Sequence, residues 1–240
     1  MKVSVFGATG GVASSAVKIL LQEGHDVVAL VRTPQRLIDL CGTHEHLRID
    51  KGDVRDKEAV KRAMDGTSVV ILGVGAKPSV QLALNPYNLV TVSDKTLCED
   101  AAKVICAAAN ELARPPKKLI AVSSTGISET RDVPYAFLPL YRLSLHVPHA
   151  DKKKMEEQIK AQDAFSQTII VRGALFTDGP ETKNYRVGEG LLGYHLTERC
   201  GTLYYKMLLR QHLGGQVACG GVLRDSSFCF FCFNGSIVSS

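Results

Sequence analysis

Lys2-Val-Ser-Val-Phe6 running into Gly7-Ala-Thr-Gly10-Gly11-Val-Ala13 is the stretch that decides the fold. A short apolar run enters a glycine-rich turn, and a helical pattern from Ser14 to Gly24 leaves it. Gly7 lets the main chain turn sharply off the strand. Gly10, having no Cβ, allows a phosphate close to the backbone. The first helical turn then offers unpaired N–H groups and a partial positive charge to an anion. A glycine triplet alone says little. Placed at the first strand–helix junction, with a second strand from Asp26 to Val31, it reads as a dinucleotide-binding turn. The plainer alternative is that Gly7, Gly10 and Gly11 serve tight packing only.

The second strand narrows the cofactor. Val27-Val-Ala-Leu-Val31 ends in Arg32-Thr33-Pro34, where NAD-preferring sites of this architecture usually carry an acid on the ribose hydroxyls. A guanidinium suits a 2′-phosphate instead, through paired charge-assisted hydrogen bonds. NADP is therefore expected ahead of NAD, unless Arg32 is merely a solvated residue after the strand.

At 240 residues the chain suits one α/β domain with a modest extension. The net charge of +5 is mild, and the longest basic run, Lys152-Lys153-Lys154, reads as a wet helix face, so no nucleic-acid partner is expected. The first strand starts too early to leave room for a signal peptide. No apolar stretch reaches the ~18 residues of a membrane span, so a cytoplasmic protein without a membrane partner is expected. Seven cysteines at irregular spacing fit reduced thiols. Cys229 and Cys232 form a C-x-x-C inside Phe228–Phe233, but without a second ligand pair they read as apolar packing, and no metal site is expected.

Strand and helix signals alternate along the rest: strands at Leu47–Ile49, Ser68–Leu72, Lys118–Val122 and Thr168–Val171, and helices over Glu58–Met64, Val92–Leu112 and Met155–Ala164. Apolar strands alternating with helices indicate a parallel sheet covered on both faces. Right-handed crossovers give the doubly wound, Rossmann-type α/β order 3-2-1-4-5-6. Ligands in such sheets lie beyond the carboxyl ends of the strands. The expected site is therefore a line of strand ends: Gly7 to Ala13, Arg32, Asp53-Val54, Gly73 to Gly75, Ser123 to Thr125, and Arg172 to Leu175.

Gly7-Ala-Thr-Gly10-x-x-Ala13, Val31-Arg32-Thr-Pro34, Gly52-Asp53-Val54, Ser123-Ser124-Thr125-Gly126 and Val171-Arg172-x-x-Leu175 resemble the atypical short-chain dehydrogenase/reductase class. Within it the chain is most similar to the NmrA-like and biliverdin/flavin reductase-like NAD(P)-binding proteins, and small fungal oxidoreductases of secondary metabolism carry similar segments. The resemblance covers roughly residues 1 to 195. It implies that Gly7, Thr9, Gly10, Gly11 and Val12 cradle the pyrophosphate, Arg32 holds the adenosine phosphate, and Asp53 and Val54 border the adenine. Gly73 is implied under the adenosine ribose and Ser123 near the nicotinamide ribose. Two positions depart from the pattern: Ala13 replaces the third glycine, and Gly173 replaces the proline after the arginine of strand six.

The larger departure is catalytic. Members of the broad superfamily use Tyr-x-x-x-Lys, the lysine lowering the tyrosine pKa. Lys152 and Glu156 resemble the lysine end of that motif, but Pro148 stands where the tyrosine belongs, and Tyr135 and Tyr141 come too early. Lys152, Ser124 and His149 are the candidate catalytic residues, with Tyr141 or solvent as further proton sources. A lone histidine in a loop is as readily an exposed polar residue, and hydroxyls at 123–125 also cap turns.

The apolar segment from Ile127 to Ala150, with Tyr135, Phe137 and Tyr141, reads as a lid over a small-molecule substrate, or equally as a homodimer contact or core. Residues 1–195 are expected to form the nucleotide-binding domain with its substrate-side loops, and 196–240 a short, atypical C-terminal extension. The function expected is hydride transfer to or from a small organic carbonyl or quinone-like acceptor. The rival is a non-catalytic NADP sensor acting through a protein partner; a sugar-type epimerase or dehydratase fits less well without the tyrosine.

Overall fold

The computed structural model describes residues 1–80, 90–128, 133, 135, 138, 141, 145–173, 176–177, 185–188, 197–198 and 215–221. Its first half alternates strictly: β1 (Lys2–Phe6), α1 (Gly11–Gln22), β2 (Asp26–Val31), α2 (Pro34–Cys41), β3 (Leu47–Lys51), α3 (Lys57–Met64) and β4 (Val69–Leu72). A small antiparallel pair, β5 (Pro78–Val80) and β6 (Val90–Val92), precedes α4 (Leu97–Glu111) and β7 (Lys118–Ser124). Then come α5 (His146–Lys160) and β8 (Gln167–Gly173). The short strands β9 (Phe176–Thr177) and β11 (Thr197–Glu198) pair with each other. β10 (Tyr185–Gly188) and β12 (Gly215–Gly221) complete the chain.

Six parallel strands lie in the order β3-β2-β1-β4-β7-β8, the doubly wound order expected. β12 adds to β8 in parallel, and β10 closes the edge antiparallel to it. Alternation along β1 and β2 assigns the two faces. Val3, Val5, Val27 and Ala29 pack with α1 and α2, while Phe6, Val28 and Leu30 pack with α3, α4 and α5. Because both faces are covered, the central strands are almost wholly apolar.

Two helix starts differ from expectation by several residues, and one helix is additional. α4 begins at Leu97 rather than Val92, because the β-branched Val90-Thr91-Val92 pairs back on β5 and Asp94 then accepts from the Thr96 N–H at 3.2 Å. α5 begins at His146 rather than Met155, so His149 lies in a helix and not in a loop. Pro148 is its third residue, where the missing N–H is an unbonded one in any case. Polar residues on the inward side hid this helix: Asp151 and Glu156 are buried beside Met155 and Ile159, which erases the apolar period. α2, eight residues with only Leu37 buried, was not foreseen.

The first residue of that polar set does structural work at a distance. Thr96 gives α4 no side-chain cap, and the Asp151 carboxylate on α5 takes its place, accepting from the N–H groups of Cys98 (3.0 Å) and Glu99 (2.9 Å). Asp151→Ala strands two helix-end donors, one of them buried. The expected loss is about 1–3 kcal/mol in urea unfolding, with Asp151→Asn losing less. A change within about 0.5 kcal/mol, the size of an ordinary surface substitution, would show that the cap contributes nothing.

Candidate active site

The glycine turn is built around a backbone contact. Gly7 has φ +80°, and a Cβ there would stand 2.6 Å from the Gly73 carbonyl oxygen. A Cβ on Gly73 would stand 2.8 Å from Cβ of Ala13. Ala13 thus fills the place of the third glycine because its opposite number is itself a glycine. Gly10 is the N-cap of α1, in extended conformation, without a side-chain cap and with no acid in the first turn. The N–H groups that open the helix therefore keep their capacity for an anion.

A cavity of about 610 Å³ runs along the carboxyl ends of the parallel strands; most of the residues expected from the sequence line it, but Ala8, Ala13, Thr125, Arg172, Gly173 and Tyr141 do not. Gly7, Thr9, Gly10, Gly11 and Val12 form its middle wall. Arg32, Asp53 and Val54 lie at the end beyond β2 and β3, with Gly73 between. Ser123, Ser124, His149 and Lys152 stand at the opposite end, after β7 and on α5. Sequence reasoning missed Arg36, Lys77, Val92, Leu97 and Leu145 as lining residues. Arg36 follows Arg32 by one helical turn, a signal visible only once α2 is recognised. Among the described residues neither Arg32 nor Arg36 is held in an ion pair.

The wall near Val54 is braced from outside the cavity. Arg55 grips Asp94 through both terminal nitrogens, at 2.6 and 2.9 Å, and reaches Asp100 through Nε at 2.9 Å. The guanidinium bond holds the Asp94 carboxyl down at about 2, below the usual carboxylate range. Being partly exposed, this network fixes geometry more than it adds stability.

At the other end, Lys152 donates to the carbonyl oxygens of Val74 (2.8 Å) and Val122 (2.7 Å), tying together the chain after β4 and the end of β7. One turn later, Glu156 receives Arg172 of β8 in a two-pronged ion pair, at 2.9 Å from Nε and 2.5 Å from Nη2. Burial alone would raise the Glu156 carboxyl, but Arg172, the Ser123 hydroxyl and Lys160 outweigh it and hold the group below its usual value. Arg172 also donates to Ser128 Oγ at 3.0 Å.

His149 Nε2 lies 3.3 Å from Ser124 Oγ, which donates to the Thr125 carbonyl at 3.1 Å. With the one hydroxyl proton so placed, Oγ accepts from a protonated Nε2. Tyr141, buried, packs its ring against His149 at a 45° tilt with centroids 5.5 Å apart, and its hydroxyl lies 3.4 Å from Thr125 Oγ1. Tyr135, by contrast, is 75% exposed. Apart from Val133, Tyr135, Leu138 and Tyr141, the residues between 129 and 144 lie outside the described residues, as do Leu175 and the Phe228–Phe233 run with Cys229 and Cys232. Among the described residues no three side chains could hold a metal, and no helix is long and apolar enough to cross a membrane.

Comparison with known proteins agrees with this geometry. A family model described as NAD(P)H-binding matches residues 7–196. The reductase pytE of Aspergillus terreus is 36% identical over 208 residues, covering 75% of this chain and 78% of its own. The oxidase pynE of Aspergillus niger is 30% identical over 223 residues, covering 73% and 77%. Among solved structures, the anaerobilin reductase ChuY of Escherichia coli O157:H7 superposes with a TM-score of 0.70 at 16% identity, covering 95% of this chain and all of its own. A short-chain dehydrogenase/reductase from Veillonella parvula, solved in complex with NADP, gives 0.70 at 16% identity over 91% and 94% of the two chains. At such identities these structures speak to the fold. The chain belongs to the NAD(P)H-binding family and is an NAD(P)-dependent oxidoreductase.

Burial pushes the His149 imidazole down from 6.5 to about 4. An unfolded chain takes up that proton near 6.5 while the folded one refuses it until about 4. The stability gained by keeping the ring neutral is thus complete above pH 6.5 and is lost as pH falls from 6.5 towards 4, by about 3 kcal/mol in all. In urea unfolding, His149→Gln should flatten the pH dependence over that window. An unchanged slope would mean that the ring is not buried.

Proposed function

We propose that this protein is an NADPH-preferring reductase-type enzyme that moves a hydride to or from a small organic carbonyl or quinone-like substrate. The observation that carries the reading is the continuity of one cavity from two guanidinium groups without ion-pair partners among the described residues, past an uncapped helix, to Ser124, His149 and Lys152. The names of the two fungal relatives, a reductase and an oxidase, point to the same kind of chemistry. The fit of a dinucleotide rests on the helix end: main-chain N–H groups of Gly11 and Val12, beside Gly7, Thr9 and Gly10, bind a diphosphate. Arg32 and Arg36 donate to a 2′-phosphate. Asp53 and Val54 border the adenine, Gly73 the adenosine ribose, and Ser123 the nicotinamide ribose.

The nicotinamide, when bound, supplies or takes the hydride. The protein's part is orientation, exclusion of water and one proton. Leu145, Pro148 and Val122 make the reactive end apolar. Lys152 spends two of its three donors on the Val74 and Val122 carbonyls and keeps the third for a ribose or substrate oxygen. Ser124 passes its hydroxyl proton to a substrate oxygen, His149 Nε2–H stays hydrogen-bonded to Oγ and stabilises the alkoxide left behind, and solvent returns the proton. This couple stands in for the missing tyrosine. Residues 1–195 carry the nucleotide and substrate sides of the cavity, and 196–240 form the extension.

The second reading, an NADP sensor without turnover that acts through a protein partner, is favoured by Pro148 in the tyrosine's place. Oxidation of NADPH by the purified protein with a series of quinones, flavins and aromatic aldehydes separates the two. Steady consumption supports the enzyme, and tight binding with no consumption supports the sensor.

Arg32→Asp should weaken NADPH binding about 10–100-fold, the size of a lost charge-assisted contact, and NADH binding far less. Arg36→Ala should act in the same direction. Equal losses for the two nucleotides in a fluorescence titration would remove the phosphate role.

A further inference from the structure

Tyr141 lines no part of the cavity, yet its ring lies against His149, the residue whose Nε2 meets Ser124. The place it occupies exists because position 126 is glycine. Gly126 has φ +87°, and a Cβ there would fall 2.4 Å from Tyr141 Cδ1 and 3.2 Å from His149 Cε1. Both rings therefore close over the turn that follows β7, the same turn that presents Ser124. On the far side the Tyr141 hydroxyl lies by the fully buried Thr125 Oγ1, so the ring is held at its tip as well as on its face.

We propose that Tyr141 is a positioning residue for the reaction, its ring admitted by Gly126 and locking the His149 imidazole so that Nε2 stays on Ser124 Oγ. The inference rests on the reading of Ser124 and His149 as the proton-delivering couple. It assigns the tyrosine a place behind the histidine instead of at the substrate.

The physical argument is one of rotation and desolvation. A histidine in the first turn of a helix has several side-chain rotamers and water on one side. Ser124 and Gly126 confine the ring from the β7 side, Tyr141 confines its face, and Lys152 follows one turn along α5, bonded away to two carbonyls. Burial is the cause of the depressed imidazole pKa, so removing the ring that provides part of that burial has a signature of its own.

The test compares Tyr141→Phe, which keeps the ring, with Tyr141→Leu, which does not, in the full chain. The C2–H resonance of His149, assigned by its loss in His149→Gln, is titrated by NMR. NADPH-dependent turnover with a quinone is followed in parallel. The wild type should titrate near 4, Tyr141→Phe close to it, and Tyr141→Leu above about 5, back toward the free value. Turnover should fall about tenfold in Tyr141→Leu with KM for NADPH unchanged, the loss of one oriented proton transfer being at least of that order. His149 titrating alike in wild type and Tyr141→Leu overturns the proposal. So does a Tyr141→Phe that shifts as far as Tyr141→Leu, since the ring would then not be the agent. If Tyr141→Leu does not fold, Gly126→Ala replaces it, displacing the same ring from the backbone side, with the same two outcomes. A wild type that titrates as expected but turns over no acceptor sinks the enzyme reading, while the ring titration still decides whether Tyr141 fixes His149.

Discussion

The contact of Gly7 with Gly73 is the constraint on which the rest of the molecule depends. Main chain meets main chain there: a side chain at 7 would drive β1 away from the chain after β4, and one at 73 would push against Ala13 of α1. That approach brings the start of α1 directly over the crevice where the sheet order turns, from β1 towards β2 on one side and β4 on the other. The helix end faces open volume because nothing larger than Ala13 fills the space behind it. An open helix end thus follows from a packing requirement, and the cavity extends from it in both directions along the strand ends.

The cofactor half was legible because its residues obey local rules. Glycines after a strand, an arginine at the end of the next strand and an Asp-Val after the third each sit at a fixed distance from a recognisable apolar run. The order of the six parallel strands followed from handedness alone. Hidden from view were elements whose logic is long-range. Arg36 depends on a helix with one buried residue, and the Arg55–Asp94–Asp100 brace joins positions about forty residues apart in the chain. The true start of α5 was masked by charged side chains turned inward. Periodicity reads hydrophobicity, and here the buried face carries carboxylates satisfied by partners on other elements.

α5 is the element through which the two halves of the site communicate. Asp151 caps α4, Lys152 spans the chain after β4 and the end of β7, and Glu156 is paired with Arg172 on β8. Buried pairs of this kind add little net stability compared with apolar packing, but they tolerate only one register. A helix fixed at three points by directional bonds holds His149, in its first turn, to a narrow range of positions. The histidine and Ser124 are thereby brought to 3.3 Å of each other beside Pro148.

Asp151 and Lys152 are neighbours in sequence, one capping α4 and the other bridging the chain after β4 to β7 at the cavity wall. The start of α4 and the Lys152 bridge therefore both hang on the same turn of α5. Thermal inactivation should track global melting closely, and cofactor occupancy should protect both equally.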